Sequence, residues 1–287
     1  MELANIVVRG RGRPRLDDIT LRFERAQVYG LIGPNGAGKS SLLRVITGLL
    51  PTDGGHMSGL PWQQGRAVGA VFGDSGVHPG RTVRETLWLR ARYVDADSAQ
   101  VTAAARRTGL DNVMSRRVGA LSLGMRMRLA IGVALLGEPS LVVLDEPTNG
   151  LDPNGITWVR GVVSDLRSAG ATVLVSSHLL AELEPMIDTA IVMSRGRVAR
   201  IHDHDFRSAE RCVIAVDRPS ALMAALRDEG VAVTMGASGL LVEAAPDAAV
   251  RFAVEVGVRV MAVSPRHGTL EALYEATSSA EHEAEAS

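Results

Sequence analysis

Three short stretches of the chain hold residue types at spacings that could do chemistry. Gly33-Pro34-Asn35-Gly36-Ala37-Gly38-Lys39-Ser40 follows the apolar run Val28-Tyr29-Gly30-Leu31-Ile32. It precedes a helical stretch, Ser41 to Thr47, that stops at Gly48. Strand, glycine loop and helix in that order form the context of a phosphate-binding loop. Gly36 and Gly38 let backbone N–H groups turn inward around phosphate oxygens, where a side chain would block the approach. The helix N-terminus adds partial positive charge, Lys39 a full one, and the Ser40 hydroxyl suits Mg²⁺. A chance glycine-rich turn would not explain the flanks.

Asp145 and Glu146 end the continuous apolar run Leu141-Val142-Val143-Leu144. Such a run fits a central parallel strand, and in an open α/β sheet ligands sit beyond the carboxyl ends of the strands. The two carboxylates therefore emerge at the edge where the glycine loop emerges, although a solvated pair at a strand end has the same sequence. His178 stands just past another apolar run, Ala171 to Val175, after Ser176-Ser177. A lone histidine there can be structural or functional.

The elements that must position these groups can be read along the chain. Ile6-Val7-Val8 and Ile19 to Phe23 read as strands, joined by the arginine-rich loop Arg9 to Arg15. That loop is either a solvated turn or lies beside a nucleotide, where arginine can stack on a base or meet phosphates. Pro51 to Gly55 reads as a turn, Ala67 to Phe72 as a strand and Gly73 to Gly80 as a loop. Thr82-Val83-Arg84-Glu85 is a capping box that opens a helix, and Val101 to Thr108 lies in another. A further helix starts at Leu121-Ser122-Leu123-Gly124-Met125; it buries Leu129, Gly132, Val133 and Leu136 and turns Arg126 and Arg128 to solvent. Asp152 and Pro153 are suited to the N-cap and first position of the helix that runs to Gly170. Ile191-Val192-Met193 reads as one more strand, with a turn at Arg195-Gly196. Beyond about residue 205 the pattern becomes β-α-β-β-α-β, the order of a ferredoxin-like split motif. A short helix from Thr269 to Ala276 and a polar, disordered tail complete the chain.

Composition narrows the function classes. A formal net charge of -1 argues against a dedicated nucleic-acid binder. The single cysteine, Cys212, cannot form an internal disulfide; its apolar neighbours place it in a core and its solitude fits a cytosolic setting. No leader pattern opens the sequence and no apolar run is long enough to span a bilayer.

The phosphate loop, Leu121 to Met125, Leu144-Asp145-Glu146, Leu151-Asp152 and His178, in that order, resemble the ATP-binding cassette (ABC) ATPases. The likeness covers residues 1 to about 205. It implies an α/β P-loop fold, with a mostly parallel central sheet and a helical subdomain over 1–205. A small α+β accessory domain over 206–277 and a tail over 278–287 then follow. It implies that residues 33–41, through Ser41, bind ATP, that Asp145 and Ser40 hold Mg²⁺, that Glu146 is the general base, and that His178 lies by the γ-phosphate. Asp152 resembles a residue that links the two sites of a dimer, and it can also be the helix cap. Ser122 and Gly124 match the signature that faces the nucleotide of the other subunit. The implied partners are a second cassette, as a homodimer, and a separate transmembrane permease. The expected setting is cytoplasmic, peripheral on the inner face of the membrane, with membrane contact only through the permease and no nucleic acid. A soluble non-transport ABC ATPase and a low-turnover regulatory module are the alternatives.

The sequence departs from the family at three points. Leu123 and Met125 stand where the signature usually has Gly and Gln. No aromatic residue occupies positions 9–11 to stack on adenine. Gly73-Asp74 stand where a glutamine is expected after Phe72, which leaves Asp74 as the nearest group able to position water. Val77 to Thr82, Ser176 to Leu180 and Leu270 to Tyr274 look like the stand-alone cassettes of antibiotic and antimicrobial-peptide exporters.

Overall fold

Continuous runs of apolar residues form the central strands of the residue 1–201 unit. β3 (Val28–Ile32), β6 (Leu141–Asp145) and β7 (Thr172–Ser176) are buried at every position, as strands covered on both faces must be. The computed structural model describes residues 1–73, 76–202, 211–236 and 238–266. Asp74, the helix expected over Thr269 to Ala276 and the tail over 278–287 lie outside the described residues. The chain divides into two compact units, Met1–Ile201 and His202–Ser287.

In the first unit, the described residues form a six-stranded sheet that adds β5 (Gly69–Phe72), β8 (Thr189–Ser194) and β9 (Arg197–His202) to these three strands. The order is β5-β6-β7-β3-β8-β9, and every pair from β5 to β8 is parallel. β9 returns through Arg195-Gly196, both at positive φ (49 and 83), the geometry that tight hairpin turns require. This order places β7 between β3 and β6. Ser176 is therefore in register with Leu31 on one side and Asp145 on the other.

Beside this sheet, β1 (Glu2–Val8) pairs antiparallel with β2 (Leu16–Arg22) and with β4 (Gly54–Ser58). The turn read over Pro51 to Gly55 overlaps the start of β4, where pairing with β1 overrides local propensity. Gly55 sits at φ 88, and a Cβ there would lie 2.4 Å from the Asn5 carbonyl oxygen, so the bulged ladder needs glycine.

A helical layer is built from α2 (Val83–Tyr93), α3 (Ser98–Arg107) and α4 (Leu123–Leu135). Its core includes Val83, Leu87, Val101, Ala105, Leu129 and Leu136. Thr82 and Glu85 close the expected capping box of α2: Glu85 Oε2 accepts from Thr82 N and Thr82 Oγ1 from Glu85 N. Hydrogen bonding from Thr82 to the Glu85 carboxyl, from the backbone N–H most of all and from the side chain next, holds that carboxyl below its ordinary pKa.

The reading of α4 needs one correction. Arg126 and Arg128 are half-buried, not turned to solvent. Arg126 donates to the Leu121 carbonyl (2.8 Å), and the Arg128 guanidinium lies 4.5 Å from the centre of the Trp158 ring. Met127, Ala130, Ile131 and Ala134 are buried as well, so the helix is packed on more than one stripe and its arginines reach past apolar neighbours.

The second unit runs β10 (Arg211–Val216), α6 (Pro219–Asp228), β11 (Val233–Gly236), β12 (Gly239–Val242), α7 (Pro246–Glu255) and β13 (Val260–Arg266). Its sheet order is β11-β12-β10-β13, antiparallel throughout. That is the strand arrangement of the ferredoxin-like split motif. Cys212, Ile214, Leu222, Leu226, Leu240 and Val242 share its core.

Candidate active site

The phosphate loop joins β3 to α1 (Lys39–Ile46). Gly38, the N-cap of α1, has φ 105, and Gly36 has φ 84. A Cβ on Gly38 would lie 2.8 Å from the Arg15 carbonyl oxygen, and one on Gly33 would lie 2.3 Å from that of Met193. The loop thus needs glycine both for its dihedrals and for the backbone packed behind it. Lys39 is 6% exposed, and its Nζ donates to the Gly33 carbonyl at 2.7 Å and to that of Pro34 at 3.3 Å. Burial pushes the Lys39 ammonium below its ordinary pKa, while the Glu146 and Asp145 carboxylates act in the opposite sense. Arg15, residues 35–41 and Glu146 line a cavity of about 370 Å³ at this loop.

The carboxylates reach the same edge because β3, β7 and β6 end together. Asp145 is buried, and its Oδ1 accepts a 2.6 Å hydrogen bond from Ser176 Oγ. Glu146 adopts φ 53, which breaks the strand, and its N–H donates to the oxygen atoms of Ser176, Oγ at 3.0 Å and the carbonyl at 3.2 Å. The Glu146 carboxylate meets His178: Oε2 lies 2.7 Å from Nδ1 and accepts from the His178 backbone N–H at 3.4 Å. Ser177 Oγ accepts from Leu179 N, tightening the turn that presents the imidazole.

A second group gathers elsewhere. Ser122 caps α4, accepting from Met125 N at 3.2 Å, and Asp152 caps α5 (Pro153–Ser168), its Oδ1 accepting from Gly155 N at 2.8 Å. The start of α4 abuts the turn before Asp152: a Cβ on Gly150 would lie 2.8 Å from Leu123 Cδ2, and one on Gly124 would lie 3.7 Å from Leu151 Cδ2. Ser122, Gly124 and Asp152 do not line the phosphate-loop cavity.

Residues 16–149 match the family described as ABC transporter. The chain is 32% identical over 197 residues to the lantibiotic transport ATP-binding protein SrtF of Streptococcus pyogenes, covering 67% of this chain and 86% of that one. The chain belongs to the ABC transporter ATP-binding family. It is also 32% identical to the bacitracin transport ATP-binding protein BcrA of Bacillus licheniformis, covering 64% of this chain and 63% of that one. A solved ATP-binding subunit of an ABC transporter superposes with a TM-score of 0.65 at 27% identity, covering 72% of this chain and 91% of that one. The chain is thus the ATP-binding subunit of an ABC transporter, in which ATP hydrolysis is coupled to transport.

Two residues of this cassette's site went unassigned in the sequence. Arg15 was visible only as one arginine of a loop, and the fold singles it out by bringing it to the cavity. Ser176 carries no pattern of its own, and only its register between Leu31 and Asp145 marks it. The donor set suits Mg²⁺: Asp145 keeps Oδ2 clear of the Ser176 bond and Ser40 lies in the first turn of α1, while no cluster of three or more His, Cys, Asp or Glu exists among the described residues. Mg²⁺ fits such a sparse site, because phosphates and water complete its shell. Among the described residues no helix is long and apolar enough to cross a membrane.

Proposed function

We propose that this cassette powers export of an antibiotic or other drug-like or peptide substrate through a separate membrane permease, working at the inner face of the membrane as a homodimer. The export reading rests on the relatives, which are named for lantibiotic and bacitracin transport. The observation that carries the chemistry is the contact between Glu146 and His178 at the edge where Lys39 rises.

In this reading Lys39 and the N–H groups of residues 33–41 hold the β- and γ-phosphates of ATP. Ser40 and Asp145 hold Mg²⁺, which lowers the charge facing the attacking water. Glu146 accepts the water's proton as its oxygen adds to the γ-phosphorus; the bond to the bridging oxygen breaks and ADP leaves with that oxygen. His178 fixes the Glu146 carboxylate and lies by the γ-phosphate. Ser122 and Gly124 serve the nucleotide of the second cassette, which accounts for their distance from the cavity of their own chain. Asp152, which follows the turn packed against that signature, carries the state of one site to the other. The domain over 206–277 serves dimerisation or regulation.

The shared site is tested by complementation. Lys39→Ala spoils each phosphate loop it brings and Ser122→Arg each signature, so each variant alone fails to form ATP-dependent dimers. A tagged mixture of the two contains dimers with one intact site, and these regain ATP-dependent association. Verified mixed dimers that bind ATP no better than either parent variant would show that the site is not shared in this way.

A further inference from the structure

The hydroxyl of Ser176 hydrogen-bonds to both strand-end carboxylate residues. Ser176 is 0% exposed and its hydrogen has a single destination, Asp145 Oδ1 at 2.6 Å, a length typical of a bond to a charged oxygen. Its oxygen in turn accepts from Glu146 N at 3.0 Å. This arrangement has two consequences. One oxygen of Asp145 is engaged by the protein, which leaves Oδ2 clear of this bond to face a metal ion or its water. The peptide that carries Glu146, already at φ 53, is tied to the same hydroxyl. The sheet order supports the arrangement: β7 lies between β6 and β3, in register at Asp145↔Ser176.

We propose that Ser176 is a positioning residue that fixes Asp145 with Oδ2 toward the metal ion and holds the Glu146 peptide beside it. The inference rests on the reading of Asp145 as the residue that holds the metal. Partners of metal-holding groups commonly change metal affinity or activity by about 10- to 100-fold when removed. Ser176 therefore acts on metal use before it acts on nucleotide binding.

The test uses the full chain with Mn²⁺ as the spectroscopic probe in place of Mg²⁺, and a non-hydrolysable ATP analogue. Electron paramagnetic resonance reports the Mn²⁺ concentration for half-saturation, and binding of the same analogue in EDTA reports metal-free affinity. Ser176→Ala is expected to raise the Mn²⁺ requirement about tenfold, while metal-free affinity stays at the parental value. Ser176→Cys keeps the volume but offers only a weak donor, so it shows the same change and decides the matter should the alanine variant not fold. Ser176→Thr, which keeps the hydroxyl, recovers most of the parental Mn²⁺ requirement. A parental requirement in the folded Ala or Cys variant overturns the inference, as does an equal loss of metal-free affinity. Asp145→Asn separates the two levels. If it also binds Mn²⁺ as the parent does, the assignment of Asp145 fails and the inference with it; if it loses Mn²⁺ while Ser176→Ala and Ser176→Cys do not, only the role of Ser176 fails.

Discussion

The two units both cover a sheet with helices, but they treat polar side chains in opposite ways. In Met1–Ile201, Lys39, Asp145, Ser176 and Ser177 are all buried at strand or helix ends. Among the described residues of the second unit the buried side chains are apolar, from Cys212 to Val258, and burial pushes the Cys212 thiol above its ordinary pKa. Topology accounts for the difference. Parallel strands deliver all their carboxyl ends to one edge, where loops can pool charges that are costly to bury singly. An antiparallel sheet sends successive ends to opposite edges, so nothing accumulates. The first unit spends burial on polar groups that hold one another, and the second spends it on packing alone.

That contrast can be broken or sharpened by substitution. The largest stability effect belongs to the second core. Leu240 is 0% exposed, so Leu240→Ala should cost the unit about 2–5 kcal/mol, read by denaturant unfolding. Nucleotide binding should be unchanged if this unit carries no chemistry; its loss in the folded variant would end the separation of roles. A smaller effect is expected at Arg15, which lines the phosphate-loop cavity and is exposed. Arg15→Ala should weaken ATP and inorganic tripolyphosphate alike, by roughly two- to fivefold, the scale of an exposed ion pair. A loss confined to ATP would move Arg15 to the base, and no loss at all would remove it from the site.

Most of what places the chemistry was legible because parallel, buried strands are continuous apolar runs. Val28 to Ile32 and Leu141 to Leu144 could be read as strands, so the loop and the carboxylates after them were placed as well. β4 was missed because Gly54 to Ser58 has turn-like residues and becomes a strand only by pairing with β1. β9 was missed because Arg197–His202 is largely exposed and its pattern is not that of a buried strand. The arginines of α4 were misjudged because charge alone does not show that a long side chain will lie against Trp158 or reach the Leu121 carbonyl. Ser176 was invisible for another reason: a serine at a strand end is common, and its role depends on which strand lies beside it. In the second unit the order of elements was legible from turn residues and alternating apolar positions, and the strand arrangement follows that order.

The most direct test of the account concerns Glu146, the carboxylate that meets His178 at 2.7 Å. Glu146→Gln keeps the shape and the neighbouring phosphate loop but cannot take a proton from water. The measurement is phosphate release beside equilibrium ATP binding in the same preparation. The account predicts parental ATP binding with phosphate release lowered by roughly 100- to 10,000-fold, the contribution of a positioned base. Phosphate release at the parental rate would contradict it.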